Sequence, residues 1–143
     1  MVDSSHDSTS LIADRELITQ LELASQGLLW VSEAEYPIEV IYWQGIENFD
    51  EQYLLQRQDP AGEVKISVLT FEDFFASVTR LESWHNETEQ QEVRRYQALA
   101  DLLASQLTDL QVYLLGEIEI NVYVLGKTQE QAIAGIKTKI VRT

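Results

Sequence analysis

Apolar residues recur every three or four positions in two long stretches of the chain, and this spacing predicts two amphipathic helices. The first helix spans residues 14–25, with Asp14 as its N-terminal cap and Gly27 near its end. The second and longer helix begins after Asn86 or Thr88, either of which can act as its cap. Its apolar stripe comprises Val93, Tyr96, Ala100, Leu103 and Leu107.

Alternating apolar and polar residues predict strands elsewhere. Residues 38–43 form a strand whose two faces are both largely apolar. Because Pro37 lacks a backbone donor and restricts Tyr36, we expect this strand to begin only after the proline. Four further strands are predicted at residues 64–68, 111–115, 118–125 and 134–143.

The stretch after the first strand has weaker signals. Residues 53–56 are interpreted as a further strand, and the sequence Asp-Pro-Ala-Gly at residues 59–62 is typical of a turn. Thr70 and Asp73 have the spacing of a capping box, which predicts a short helix over residues 71–77.

Strands that are grouped, rather than alternating with every helix, favour an α+β fold with a mostly antiparallel central sheet. Since the strand at residues 38–43 is apolar on both faces, we expect helices on two sides of the sheet, in an α-β-α sandwich. The chain of 143 residues fits a single domain over residues 13–143. Residues 1–12 are polar and are predicted to be a disordered leader.

The chain carries 24 acids and 10 bases, a formal net charge of −14 at pH 7. This balance argues against direct binding of nucleic acid, whose phosphates require Lys and Arg, and it favours attraction to basic partners. A solvated acidic surface without a partner is the alternative. The charge is uneven, since residues 1–110 hold 21 acids and 6 bases, whereas residues 111–143 hold 3 acids and 4 bases.

No catalytic or metal-binding motif is recognisable. The two histidines, His6 and His85, lie outside any nucleophile–base pattern, and no phosphate-binding or EF-hand loop occurs. The absence of cysteine excludes disulfides and thiolate metal sites. No apolar run is long enough to span a membrane, and no signal-peptide pattern precedes the domain. We expect a cytoplasmic protein that is not an enzyme, has no cofactor of its own and contacts no membrane.

Two features are candidate contacts for a partner. Glu33 and Glu35 lie in a polar break before the first strand, where carboxylates two residues apart in a tight turn point in different directions. Trp84 lies in a polar segment before the longest helix, where it can act as an interface contact or pack beneath its own loop. Trp30 and Trp43 lie in apolar runs and are expected in the core.

The chain resembles the nuclease A inhibitor-like family in three segments: GLLWVSEAEYPIEVIYWQG (27–45), VYLLGEIEINVYVLGKT (112–128) and AGIKTKIVRT (134–143). The FEDFF segment at residues 71–75 and the longest helix fit between them, so the resemblance covers roughly residues 14–143. It implies an α-β-α sandwich that inhibits a sugar-non-specific nuclease of the ββα-metal class. The implied partner has a DRGH-type active site and binds 1:1.

The resemblance also implies roles for individual residues. The first Glu of the turn enters the nuclease active site as a mimic of the scissile phosphate, and here that residue is Glu33, with Glu35 beside it. The C-terminal Thr of the family supplies oxygen to the catalytic Mg²⁺ of the nuclease, which maps to Thr143. Trp84 matches the Trp of an Asp-Trp pair, but Ser83 stands where the family has Asp.

Two functional hypotheses remain at this point. The chain is either a stoichiometric nuclease inhibitor or an acidic interaction module or chaperone for another basic partner. They differ in whether a divalent ion is required and in whether the C-terminus, which follows directly on an alternating strand, must be free.

Overall fold

The computed structural model describes residues 11–142, which form four helices and seven strands. The helices are α1 (Asp14–Ser25), α2 (Glu51–Gln58), α3 (Phe71–Thr79) and α4 (Glu87–Gln106). The strands are β1 (Leu29–Val31), β2 (Glu35–Pro37), β3 (Glu39–Trp43), β4 (Ile66–Leu69), β5 (Thr108–Leu115), β6 (Glu119–Lys127) and β7 (Ile133–Val141). Among the described helices, none is both long and apolar enough to cross a membrane. Most of the predicted leader lies outside the described residues.

Five strands form one antiparallel sheet in the order β3-β7-β6-β5-β4, and β1 and β2 form a separate hairpin. β6 and β7 pair along their whole lengths, from Glu119 opposite Val141 to Lys127 opposite Ile133. β3 pairs with the other edge of β7, which is therefore hydrogen-bonded on both sides. The predicted α+β class with an antiparallel central sheet is confirmed.

Apolar side chains pack on both faces of this sheet. On one face, helices α1, α3 and α4 form the larger core with buried residues that include Leu17, Leu21, Phe74, Leu99 and Leu103. On the other face, Leu54 of α2 packs with Tyr113, Tyr123, Leu125 and Ile133. Helices thus cover two sides of the sheet, as the apolar faces of residues 38–43 predict.

The prediction of a strand at residues 53–56 is wrong, because these residues lie in α2. The Asp50 carboxylate caps this helix and accepts a hydrogen bond from the Tyr53 amide at 2.8 Å. Leu54 is the one buried residue of α2, so the helix contacts the sheet through a narrow stripe. Because α2 has eight residues and one buried position, its apolar residues do not repeat often enough to indicate a helix.

The prediction that Asp14 caps α1 is wrong. Ala13 holds the capping position, and its side chain makes no capping bond. Asp14 is 3% exposed, and its Oδ2 accepts hydrogen bonds from the hydroxyls of Tyr42 at 2.6 Å and Thr128 at 2.7 Å. A buried carboxylate needs such donors, so this cluster ties the start of α1 to β3 and to the turn after β6.

The prediction that the strand at residues 38–43 begins only after Pro37 is confirmed, because β3 begins at Glu39, but the sequence missed a separate hairpin before it. Pro37 is the last residue of β2 and lies opposite Leu29 of β1. A strand end tolerates the missing amide donor of a proline. The apolar run before Glu33 is therefore the first strand of a hairpin.

Most other boundaries agree to within two residues, with one larger difference in β5. This strand begins at Thr108, three residues before the predicted start at residue 111. A register shift between Thr108 and Gln111, with Asp109 at a φ of 55°, interrupts the alternation there. The longest helix is confirmed, with Asn86 and Glu89 forming a reciprocal capping box.

The β1–β2 hairpin is fixed to the helices on the larger core. Trp30 is 5% exposed, and its ring stacks on Phe74 with the centroids 4.3 Å apart. Tyr96 of α4 meets the same indole edge-on at 5.5 Å, and its hydroxyl donates a hydrogen bond to the carbonyl of Leu29. The hairpin therefore takes its position from aromatic packing and from one buried hydroxyl.

We expect Gly135→Ala to destabilise the sheet strongly. A Cβ at Gly135 would lie 1.8 Å from the carbonyl oxygen of Val124 in β6. Overpacking typically costs about 1–3 kcal/mol, so we expect a loss at the upper end of that range in urea unfolding. Gly62→Ala is the control, because a Cβ there meets nothing within 4 Å and only the positive φ of 71° costs energy, about 1–2 kcal/mol. A smaller loss at Gly135 than at Gly62 would contradict this account.

We expect the ionisation of Tyr96 to lower the free energy of unfolding at alkaline pH. Burial raises the pKa of Tyr96 from 10.0 to about 12. The unfolded chain therefore releases the phenolic proton more readily, so the contribution is complete below pH 10 and is lost as the pH rises towards 12. Urea unfolding between pH 8 and pH 11 should show a smaller alkaline decline for Tyr96→Phe than for the wild type. Parallel pH profiles for the two proteins would refute this role.

Candidate functional site

The tip of the β1–β2 hairpin, residues 32–34, lies against the end of β7. The Val141 amide donates a hydrogen bond to Ser32 Oγ at 3.0 Å, and the Glu33 amide donates to the Val141 carbonyl at 3.4 Å. Within the tip, the Ser32 amide donates to the carbonyl of Ala34 at 2.9 Å. These bonds hold Glu33, an exposed residue, in a defined place beside the last strand.

The opposite side of this strand end is bonded to the loop between β5 and β6. The Arg142 amide donates a hydrogen bond to the carbonyl of Ile118 at 2.8 Å. The hairpin tip, the end of β7 and the start of β6 therefore form one continuous edge of the molecule. Thr143, a predicted site residue, lies outside the described residues.

Charges of both signs surround the hairpin tip. Glu35 is exposed in β2, two residues beyond Glu33. On β7, Lys139 Nζ lies 3.5 Å from Glu119 Oε1 and 5.2 Å from the centre of the Tyr36 ring. An ion pair of this exposure contributes little stability, about 0–1 kcal/mol. Lys139 of the last strand thus lies beside a hairpin that carries two exposed carboxylates, Glu33 at the tip and Glu35 in β2.

Trp84 projects from the turn before α4 and is 70% exposed. The turn is ordered by His85, whose Nδ1 accepts a hydrogen bond from the Glu82 amide at 2.9 Å. The His85 and Trp84 rings lie 4.2 Å apart. Ser83 is exposed beside them. Trp84 is therefore a surface side chain on a hydrogen-bonded turn and does not pack beneath its own loop. By contrast, Trp30 is buried and Trp43 is partly buried, as expected.

The direction of α4 places the Trp84 turn towards the same end of the molecule as the hairpin tip. α4 ends at Gln106, next to the start of β5, and the chain then reverses along the sheet. A helix of 20 residues is about 30 Å long, so its N-terminus lies towards the opposite end of β5, at Leu115. That end of the sheet is the one at which β7 reaches Val141.

Sequence reasoning missed two apolar residues at this edge. Val31, at the end of β1, is 64% exposed, and Ile118, just before β6, is 61% exposed. Val31 appears in the sequence as part of an apolar run, and Ile118 appears as a member of an alternating strand. The glycine at position 116 is the sequence signal that the loop extends to Ile118. In the structure its φ of 119° is one that favours glycine.

The edge offers exposed carboxylates and apolar side chains. Residues 11–142 contain no group of three or more His, Cys, Asp or Glu side chains that could hold a metal ion. The buried carboxylate of Asp14 lies near Thr128, at the opposite end of the sheet. A protruding tip of this kind can enter a concave, positively charged surface of another molecule.

The family of the chain is identified by comparison with a family model. A search of curated proteins finds no match. A family model described as nuclease A inhibitor-like protein matches residues 15–143, a range that contains the hairpin tip, the Trp84 turn and β7. The chain therefore belongs to the nuclease A inhibitor-like family.

Proposed function

We propose that the protein inhibits a sugar-non-specific nuclease of the ββα-metal class by inserting its hairpin tip into the active site. Glu33 is the residue that takes the place of the scissile phosphate. The observation that carries the proposal is the position of Glu33, which is exposed at a hydrogen-bonded tip in a chain of the nuclease A inhibitor-like family. On this proposal the protein has no nuclease activity of its own.

Electrostatics favours such a complex. A cleft that binds polyphosphate is basic, and a protein with a net charge of −14 is attracted to it over long range. The hydrogen bond from the Val141 amide to Ser32 Oγ and the one from the Glu33 amide to the Val141 carbonyl restrict the tip before binding. Pre-ordering of this kind lowers the entropy that is lost when the complex forms.

Thr143 is proposed as a second contact, to the Mg²⁺ ion of the nuclease. Magnesium prefers oxygen ligands in near-octahedral geometry, so a ligand must be held with little positional freedom. The residue before it, Arg142, is hydrogen-bonded to Ile118, at the edge that carries Glu33. Both contacts would then enter the same cleft.

Trp84 is proposed as a third contact, outside the cleft. Its exposed ring can bury apolar area against the nuclease surface, as aromatic residues do at the centres of interfaces. Ser83 stands where the family resemblance implies an Asp, so the carboxylate contact that the resemblance implies is missing here. We expect this difference to affect which nuclease is bound most tightly.

The proposal is tested by titrating the protein into purified DRGH-motif nucleases with Mg²⁺ and following the degradation of plasmid DNA and of RNA. We expect inhibition of both activities to be complete at one equivalent, and calorimetry to give a 1:1 complex. Undiminished degradation at molar excess over several such nucleases would exclude the proposal. Binding to unrelated basic proteins with equal affinity, independent of Mg²⁺, would favour the acidic interaction module instead.

We expect Glu33→Gln to weaken inhibition far more than Glu35→Gln. Loss of one partner of a buried charge contact typically costs about 2–5 kcal/mol, whereas a charge at the rim mainly changes the association rate. The two substitutions remove the same charge from neighbouring positions, so Glu35→Gln is a matched control for the general field. Equal inhibition constants for the two variants would show that Glu33 has no special role.

We expect deletion of Thr143 to raise the inhibition constant about tenfold or more, the equivalent of about 1.4 kcal/mol. The loss follows from removal of an oxygen ligand for the metal ion of the nuclease. Thr143→Ser keeps the hydroxyl and should inhibit almost as well as the wild type. Thermal unfolding checks that the deletion leaves the fold intact. A deletion variant that inhibits as tightly as the wild type would exclude the metal contact.

A further inference from the structure

Two large apolar side chains project from the edge that carries Glu33. Val31 immediately precedes the tip and is 64% exposed, and Ile118 precedes β6 and is 61% exposed. Polar residues adjoin both in the sequence, with Ser32 and Glu33 after Val31 and with Glu117 and Glu119 on either side of Ile118. Neither side chain belongs to the buried cores on the two faces of the sheet.

Their positions are related through the end of β7. Ser32, the residue after Val31, is hydrogen-bonded to Val141 on one side of this strand. The carbonyl of Ile118 is hydrogen-bonded to Arg142 on the other side. Val31 and Ile118, here called the flanking pair, therefore stand on either side of the strand that supports Glu33.

We infer that the flanking pair is a specificity-determining part of the inhibitory surface, and that it contacts apolar surface on two sides of the basic cleft of the nuclease. This inference rests on the proposed function. The occupant is the rim of that nuclease, because the acidic tip between the two residues requires a basic partner and the pair is continuous with the tip.

The physical role of the flanking pair is to exclude water from the Glu33 contact. Interface residues that carry most of the binding energy are surrounded by neutral contacts that keep solvent out. A charge contact is stronger where the effective dielectric constant is lower. A partner that can seal against Val31 and Ile118 therefore gains more from Glu33 than one whose cleft is polar on both sides.

The test uses a nuclease that the wild-type protein inhibits, with the double variant Val31→Thr/Ile118→Thr measured by surface plasmon resonance. We expect the dissociation rate to rise about tenfold and the association rate to change less than about twofold, because apolar contacts act mainly after encounter. Val68→Thr in β4 is the matched control. It is also an exposed β-branched residue, 42% exposed, but lies on the opposite edge strand of the sheet. It should leave both rates unchanged.

A double-mutant cycle separates water exclusion from simple loss of contact area. Glu33→Gln is measured in the wild-type background and in the background of the Thr double variant. If the flanking pair excludes water from the carboxylate, the fold-loss from Glu33→Gln should be several times smaller in the Thr background, since the contact is already solvated. Strictly multiplicative losses would overturn the water-excluding role.

The outcomes distinguish this inference from the function on which it rests. If the wild type inhibits and Glu33→Gln weakens it, but the Thr double variant keeps both rates, the proposed function stands and the flanking pair has no part in it. If the wild type inhibits no nuclease of the class, both fail. If sedimentation shows that the free wild type self-associates and the Thr double variant does not, with inhibition unchanged, the pair contacts a second copy of the chain and the inference is overturned.

Discussion

The pairing of β7 with strands on both of its edges supports the hairpin tip that carries Glu33. β6 pairs with one edge over nine residues, and β3 pairs with the other. Gly135 allows the β6 backbone to approach where any side chain would collide with the Val124 carbonyl. Beyond the β3 pairing, the same strand accepts the hairpin tip through Val141. The end of β7 therefore fixes the tip of a separate hairpin whose Trp30 is anchored in the larger core.

The fold was largely predictable from the sequence because its main elements bury regular stripes. α4 is long enough to show its period, and its cap at Asn86 has a recognisable partner in Glu89. The sequence does not indicate α2 because Leu54 is its one buried residue, so its apolar positions show neither a helical nor a strand period. Asp14 was assigned to a local cap because its actual partners, Tyr42 and Thr128, are distant in sequence and meet only after the sheet has formed.

The sequence indicates those candidate residues whose type is unusual in its local surroundings. It does not indicate those residues that are distinguished only by their exposure in the folded structure. Glu33 and Trp84 were found because a carboxylate in a polar break and an indole in a polar segment are both unusual. Val31 and Ile118 are of residue types that also form the core, and only the three-dimensional arrangement leaves them at the surface. The hydrogen bond from Val141 to Ser32 depends on residues 109 positions apart, which no local pattern can reveal.

A carboxylate at the phosphate position also has a chemical consequence for an inhibitor of the proposed kind. A phosphodiester in a nuclease cleft has a leaving oxygen, and its departure is the reaction that the basic groups and the metal ion promote. A side-chain carboxylate has the charge but no such leaving group, so these groups attract Glu33 without being able to cleave it. Firm positioning of the tip then adds to the affinity, because less entropy is lost when the complex forms. The tip meets that requirement with two hydrogen bonds to Val141, one at Ser32 Oγ and one at the Glu33 amide.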